Sequence, residues 1–163
     1  MTQLHIDFET RSTLELKKVG LDNYSKHPTT DVWCLGLAFD DAQIHIVTDF
    51  ISARDGWRAW KVPAPDHFLG HVQSGGIVIA HNAAFELAIW NNIMVPRYGW
   101  PELKPEQCVC TMAMAYAMAL PGALDNAAAA VGLEHQKDQA GHRLMLQMAK
   151  PRAYAPITQP EHA

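Results

Sequence analysis

Ile77-Val78-Ile79-Ala80-His81-Asn82-Ala83-Ala84-Phe85-Glu86 is the stretch that sets the fold class. Its first four residues form an uninterrupted apolar run introduced by Gly75-Gly76, the pattern of a strand buried on both faces, and such a strand belongs near the centre of a sheet. Asn82 is a residue type suited to cap a helix, and the run Ala83 to Ile93 continues at helical composition until Pro96 closes it. A buried strand passing directly into a helix is the repeating unit of an α/β sheet.

Upstream, Leu4-His5-Ile6-Asp7-Phe8-Glu9 alternates as a first strand, with Ile6 and Phe8 on one face and His5, Asp7 and Glu9 on the other. Residues 13–27 are mixed and interrupted by Gly20, which suggests a loop with short helical turns ending at Pro28. From Val32 to Thr48, Trp33, Leu35, Leu37 and Phe39 alternate with Cys34, Gly36 and Ala38, and Asp40-Asp41-Ala42-Gln43 turns the chain into Ile44-His45-Ile46-Val47. This pattern predicts a β-hairpin that makes three adjacent antiparallel strands with the first. The segment Ile51 to Pro65, with Trp57 and Trp60, is a connection, and Asp66 to Val72 a short helix. Downstream, Cys108-Val109-Cys110 fits a strand, Thr111 to Leu120 a helix, Ala123 to Val131 a second helix closed by Gly132, and Lys137 to Met148 a last one with Leu144, Met145 and Met148 as its apolar side. Strands first and strand–helix alternation afterwards imply a mixed α/β sheet of about five strands, not a doubly wound parallel one.

With 163 residues, 48% of them hydrophobic, the chain is sized for one domain with a core that needs neither disulfides nor a structural metal. No stretch reaches the ~20 apolar residues of a membrane span, and Met1-Thr2-Gln3-Leu4 lacks a basic leader, so the expected location is the cytoplasm. Cys34, Cys108 and Cys110 cannot all pair and lack zinc-site spacing; they are expected to be reduced and buried. The nine histidines are scattered, and Met112, Met114, Met118, Met145 and Met148 are read as core filling. A formal charge of −4 argues against gripping nucleic acid through a basic face. It leaves room for an enzyme that holds phosphates through divalent cations, because those cations need carboxylates.

Asp7-Phe8-Glu9 supplies such carboxylates, since the two-residue period of a strand points both the same way. Charges so placed repel unless a cation lies between them or one takes a proton. Glu86, in the first turn of the helix after the buried strand, can join them at the strand ends where α/β folds bind ligands. The bland alternatives are a solvated polar strand face and an acid favoured near a helix start.

Taken together, Asp7-Phe8-Glu9-Thr10 and His81-Asn82-Ala83-Ala84-Phe85-Glu86 resemble the first two motifs of the DEDD family of 3′→5′ exonucleases. The likeness is greatest to the N-terminal proofreading exonuclease domain of phage-type family A DNA polymerases, and it runs on through Cys110 to Ala117, Leu120 to Leu124, Lys137-Asp138, Gly141 and Leu144-Met145. The resemblance implies a ribonuclease H-like three-layer fold with helices on both faces of the sheet. It also implies hydrolysis of phosphodiesters at DNA 3′ ends, with two Mg²⁺ or Mn²⁺ ions as cofactors. Asp7 would bridge both ions, Glu9 would hold the one that activates water, and Glu86 would stand for the third carboxylate; Phe8, Thr10, His81, Asn82 and Phe85 would shape the pocket of the terminal nucleotide. Implied partners are a DNA 3′ end or single-stranded DNA and a C-terminal polymerase domain in the native protein; a second copy of the chain is the partner that a docking or oligomerising module would take.

The sequence departs from the family pattern twice. Glu86 stands where Asp is commoner, one methylene longer. The third motif, Tyr-x-x-x-Asp or His-x-x-x-x-Asp, is absent downstream of Glu86: His135 and Asp138 have the wrong spacing, and Tyr154 is followed four residues on by Thr158. The expectation is therefore a single domain over residues 1–163, truncated before the last catalytic helix, of phage or prophage origin and weakly active unless Asp138 substitutes. Two rival readings are a non-catalytic docking or oligomerising module of a replication protein, and an oligoribonuclease-like trimmer of RNA.

Overall fold

The structure, a computed structural model, describes residues 2–47, 65–133 and 139–149. In chain order these form β1 (Gln3–Arg11), α1 (Leu16–Lys26), β2 (Asp31–Phe39), β3 (His45–Val47), α2 (Pro65–Gln73), β4 (Ile77–Ala80), α3 (Ala83–Ile89), a π turn (Trp90–Met94), α4 (Val95–Tyr98), a 3₁₀ turn (Pro105–Gln107), β5 (Cys108–Cys110), α5 (Thr111–Ala117), α6 (Leu124–Ala130) and α7 (Gln139–Met148). The connection carrying Trp57 and Trp60, and Asp138 as a substitute ligand, lie outside the described residues.

The five strands form one mixed sheet in the order β3-β2-β1-β4-β5. The β2 strand is antiparallel to both β1 and β3, while β4 runs parallel to β1 and β5. This order puts β1 in the middle and β4 one place off centre, a correction to the central position expected of Ile77–Ala80. The apolar run of β4 still has strands on both sides, and Val78, Ile79 and Ala80 are all buried.

Alternation along β1 sends Leu4, Ile6 and Phe8 into the core and leaves His5, Asp7 and Glu9 on the other face. The core lies against that apolar face and centres on an aromatic cluster. The Trp90 ring stands edge-on to Trp100 with centroids 4.7 Å apart, to Phe8 at 6.2 Å and to Phe68 of α2 at 6.4 Å. The indole N–H of Trp90 donates to the Pro101 carbonyl at 2.7 Å, so its one polar atom is satisfied inside the core.

Several local expectations are corrected. Residues 16–26 are helical, not a loop, although Gly20 at φ 78° and ψ 163° breaks α1 into two pieces. Pro96 does not end the helix after β4. A π turn shifts the hydrogen-bond register just before it, so Pro96 falls in the first turn of α4, where its missing N–H costs nothing. The chain stops instead at Gly99, left-handed at φ 71°. Met114 and Met118 are exposed at 55% and 71%, and Leu144 at 58%, so these side chains do not fill the core. A helical period on a segment so rich in alanine does not identify which face is covered. Of the cysteines, only Cys34 is buried; Cys108 and Cys110 are half-buried, and all three are free thiols.

Asn82 is also corrected: its side chain makes no capping bond to α3, and its backbone is left-handed at φ 71° and ψ 53°. That conformation reverses the chain between β4 and α3, and asparagine tolerates it better than most side chains. Asn82→Gly should therefore leave the melting temperature nearly unchanged, whereas Asn82→Ala should lower stability by about 1 kcal/mol. Parallel urea melts would check this; equal loss in both variants would show that the side chain, not the backbone angle, matters there.

Candidate active site

The geometry of the site begins with a mismatch in strand length. β1 runs to Arg11, but its pairing with β4 ends at His5–Ile79, and beyond that point β4 turns away through His81-Asn82 into α3. On the β2 side, Gln3 both donates to Asp40 Oδ1 at 2.8 Å and accepts from the Asp40 backbone N–H at 2.9 Å. Backbone groups alternate along a strand, so the N–H of Phe8 points the other way, to the edge that β4 has left. A buried N–H without a partner is costly. The Glu86 carboxylate, carried there by the first turn of α3, accepts it at 3.1 Å.

This contact brings the second carboxyl element onto the strand that bears the first. Asp7, Glu9 and Glu86 line one cavity of about 590 Å³, together with Phe8, Thr10, His81 and Phe85. Asn82 is exposed and does not line it. Phe8 contributes its backbone edge; its ring is 4% exposed and packs against Trp90 and Trp100, so it is no platform for a base. Phe85, half-buried, remains the aromatic side chain of the wall.

The electrostatics follow from burial. Glu86 is 4% exposed, and its carboxyl is pushed up from 4.5 to about 9, first by burial and then by the charge of Asp7, with Glu9 adding to it; the Phe8 N–H opposes the shift. The same acidic field reaches Cys34, the register partner of Glu9, whose thiol is raised to about 11 by burial, Glu9 and Asp7. Cys110 differs. Burial raises it too, but backbone N–H groups of Ala113, Ala83, Asn82 and Met112 favour the thiolate, and the net shift is downward. Its sulfur accepts from Ala113 N at the head of α5, so this cysteine serves as a helix cap.

His81 reaches the cavity wall and also ties two elements together. Its Nε2 donates to the Gly122 carbonyl at 2.7 Å, which leaves Nδ1 of a neutral ring to accept from the Thr111 hydroxyl at 2.9 Å. One side chain thus lines the cavity and fastens the turn after β4 to the segments holding Thr111 and Gly122.

The chain is 32% identical over 155 residues to the DNA polymerase of Bacillus phage SP02. The match covers 93% of this chain and 21% of that polymerase, so the chain spans about a fifth of the length of the curated relative it matches. No family model matches the chain. Coverage of 93% of a 163-residue chain necessarily takes in the middle of the chain, and therefore β4, α3 and Glu86.

Part of the cavity was not legible as such. Leu14, Leu16, Lys17 and Tyr24 reach it from α1 and the turn before it, and Met145, Leu146 and Ala149 from α7 and its end. The Tyr24 hydroxyl hydrogen-bonds the Thr10 hydroxyl at 2.9 Å, and the Ser12 N–H donates to the Ala149 carbonyl at 3.2 Å, which brings the end of α7 to the end of β1. Nothing in the spacing of residues 10 and 24, or 12 and 149, announces these contacts.

Asp7, Glu9 and Glu86 offer oxygen donors of the type that hard divalent cations take. As they stand, the side chains are not gathered into a ready cage: among the described residues, no group of three or more His, Cys, Asp or Glu is arranged to hold a metal ion. No helix among the described residues is long and apolar enough to cross a membrane.

Proposed function

We propose that this chain is a divalent-metal-dependent 3′→5′ exonuclease domain of the proofreading type, with the ribonuclease H-like fold, belonging to a phage replicative DNA polymerase. The observation that carries the proposal is the Glu86–Phe8 hydrogen bond, which draws α3 onto the strand holding Asp7 and Glu9. Similarity to a phage polymerase, over a segment that is a minor part of that protein, supports it.

Asp7, Glu9 and Glu86 are the residues that would hold Mg²⁺ or Mn²⁺. Such ions supply Lewis-acid stabilisation of the phosphate and activation of water for in-line attack. The chain's own residues do the rest. Glu86 must give up its proton to serve as a ligand, and it keeps α3 docked while it accepts from Phe8. Thr10, its hydroxyl held by Tyr24, and Phe85 form walls against which a terminal nucleoside can rest. Stacking on Phe85 tolerates any base, as trimming of a 3′ end requires. His81 fixes the turn between β4 and α3 against Thr111 and Gly122.

Titration with Mn²⁺ should raise the melting temperature, by about 2.7 kcal/mol of added stability once the ion is at a hundred times its dissociation constant. The same protein should slowly release mononucleotides from the 3′ end of a 5′-labelled single DNA strand. Asp7→Asn should remove both effects. Neither stabilisation nor release in the wild type would overturn the proposal. Oligoribonucleotides in parallel would separate a DNA trimmer from an RNA trimmer, because the two substrates differ at the terminal 2′-OH.

A second reading has its own observation. Met114, Met118, Leu124, Val131 and Leu133 on and around α5 and α6 are each more than half exposed, as are Leu144 and Leu146 of α7. An apolar surface of this kind suits a module that docks on the rest of a polymerase or on a second copy. Absence of any metal effect, with self-association by light scattering, would favour it.

A further inference from the structure

The parallel strands β4 and β5 end together at the register pair Ala80–Cys110, and both lead into helices, β5 directly into α5 and β4 through His81-Asn82 into α3. Two strand-to-helix corners therefore lie side by side. The head of α3 is not held from within its own corner, because the Asn82 side chain makes no capping bond. The Ala83 N–H donates instead to Cys110 Sγ at 3.4 Å, 27 residues away in the chain. The same sulfur accepts from Ala113 N at 3.5 Å, so one side chain serves the first turns of both helices. Thr111 adds a second tie, since its hydroxyl donates to His81 Nδ1 at 2.9 Å just before the left-handed Asn82.

A helix of 7 residues is too short to be stable alone, so its direction follows from what holds its ends. Ala83 and Glu86 are three positions apart and lie on one side of α3, about a turn from each other. Fixing α3 at Ala83 thereby aims Glu86, whose Oε2 meets the Phe8 N–H at 3.1 Å. We propose that Cys110 and Thr111 are positioning residues for Glu86: through the Ala83 N–H and the His81 ring they hold the head of α3 so that its first turn delivers the carboxyl to the edge of β1. Neither lines the cavity, and both act through α3. The inference rests on the function proposed above for the role of Glu86, and adds to it the pair of residues that aims this side chain.

The test is amide hydrogen exchange by NMR on the isotope-labelled full chain, without metal or nucleic acid. Protection of the Phe8 amide reports whether Glu86 is in place. The amides of Leu35 and Leu37 report global opening, because β2 is paired on both sides there. Thr111→Val, nearly isosteric but without the hydroxyl, should lower protection at Phe8 roughly fivefold relative to those two amides. Cys110→Ala removes a weaker acceptor and should lower it about threefold. Cys110→Ser and Thr111→Ser keep a hydrogen-bonding oxygen and should restore it. Equal losses at Phe8, Leu35 and Leu37 would overturn the proposal, since the corner would then only add stability. Unchanged protection at Phe8, or a loss that the serine variants share, would overturn it too. Nucleotide release by the same proteins with Mn²⁺ separates this inference from the nuclease reading. No release by the wild type would sink that reading and leave the aiming of Glu86 standing; wild-type release by Thr111→Val, with Phe8 deprotected, would overturn the positioning role alone.

Discussion

Replacing Glu86 by glutamine is expected to stabilise the metal-free protein at pH 8 by on the order of 3 kcal/mol, which for a chain of this size is roughly 6–12 °C in melting temperature. The cause is the placement of the carboxyl. It titrates near 4.5 when unfolded and near 9 in the folded state, where burial and the charges of Asp7 and Glu9 oppose ionisation. Between those values the folded protein binds more protons than the unfolded one, so stability is fully present below about pH 4.5 and is lost as pH rises toward 9. The slope is at most about 1.4 kcal/mol per pH unit. An amide has no proton to lose and can still accept from Phe8 N–H, so the E86Q variant should show a flatter pH profile and converge with the wild type near pH 4. Mn²⁺ should narrow the gap at pH 8 by raising the wild type more than the variant. Glu86→Ala should behave oppositely to Glu86→Gln, because it leaves the Phe8 N–H unpaired in a buried position. Differential scanning fluorimetry across pH, with and without Mn²⁺, reads all of these. Superimposable profiles for wild type and E86Q would show that the carboxyl is not held at the strand edge.

Trp90→Ala should cost about 3–5 kcal/mol. The side chain is fully buried, donates to the Pro101 carbonyl, and touches Phe8, Phe68 and Trp100, so its removal empties the meeting point of β1, α2 and the segment after α4. Urea denaturation should show a lower midpoint with an unchanged slope. Trp90→Phe should recover much of the loss, since it restores ring contacts without the N–H. The site would suffer as well, because Phe8 rests on Trp90 and is the residue between the two strand carboxylates. A Trp90→Ala protein with wild-type stability would mean that the aromatic cluster does not centre the core.

How much of this was written in the sequence depended on the range of the interaction. Alternation in Leu4 to Glu9 and the apolar run Ile77 to Ala80 specify strands because period and burial are local properties of a pleated chain, and both strands form with the expected faces. The same period put Asp7 and Glu9 side by side before any tertiary contact was known. The helix in residues 16–26 was obscured by Gly20, and the reach of the helix past Pro96 by the assumption of an unbroken i→i+4 ladder, which the π turn relaxes. In both cases packing overrode a local breaker.

Composition and short-range pattern by themselves determined an α/β chain with a mixed sheet and two carboxyl-bearing elements in a known order. The tertiary structure alone decided that those elements meet. β1 outlasts β4, the unpaired Phe8 N–H needs an acceptor, and Glu86 is the one that the turn at Asn82 delivers. It also decided that α1 and α7 supply Lys17, Tyr24 and Met145 to the same cavity, since contacts across tens of residues are fixed by which faces must be buried together and leave no periodic trace in the chain.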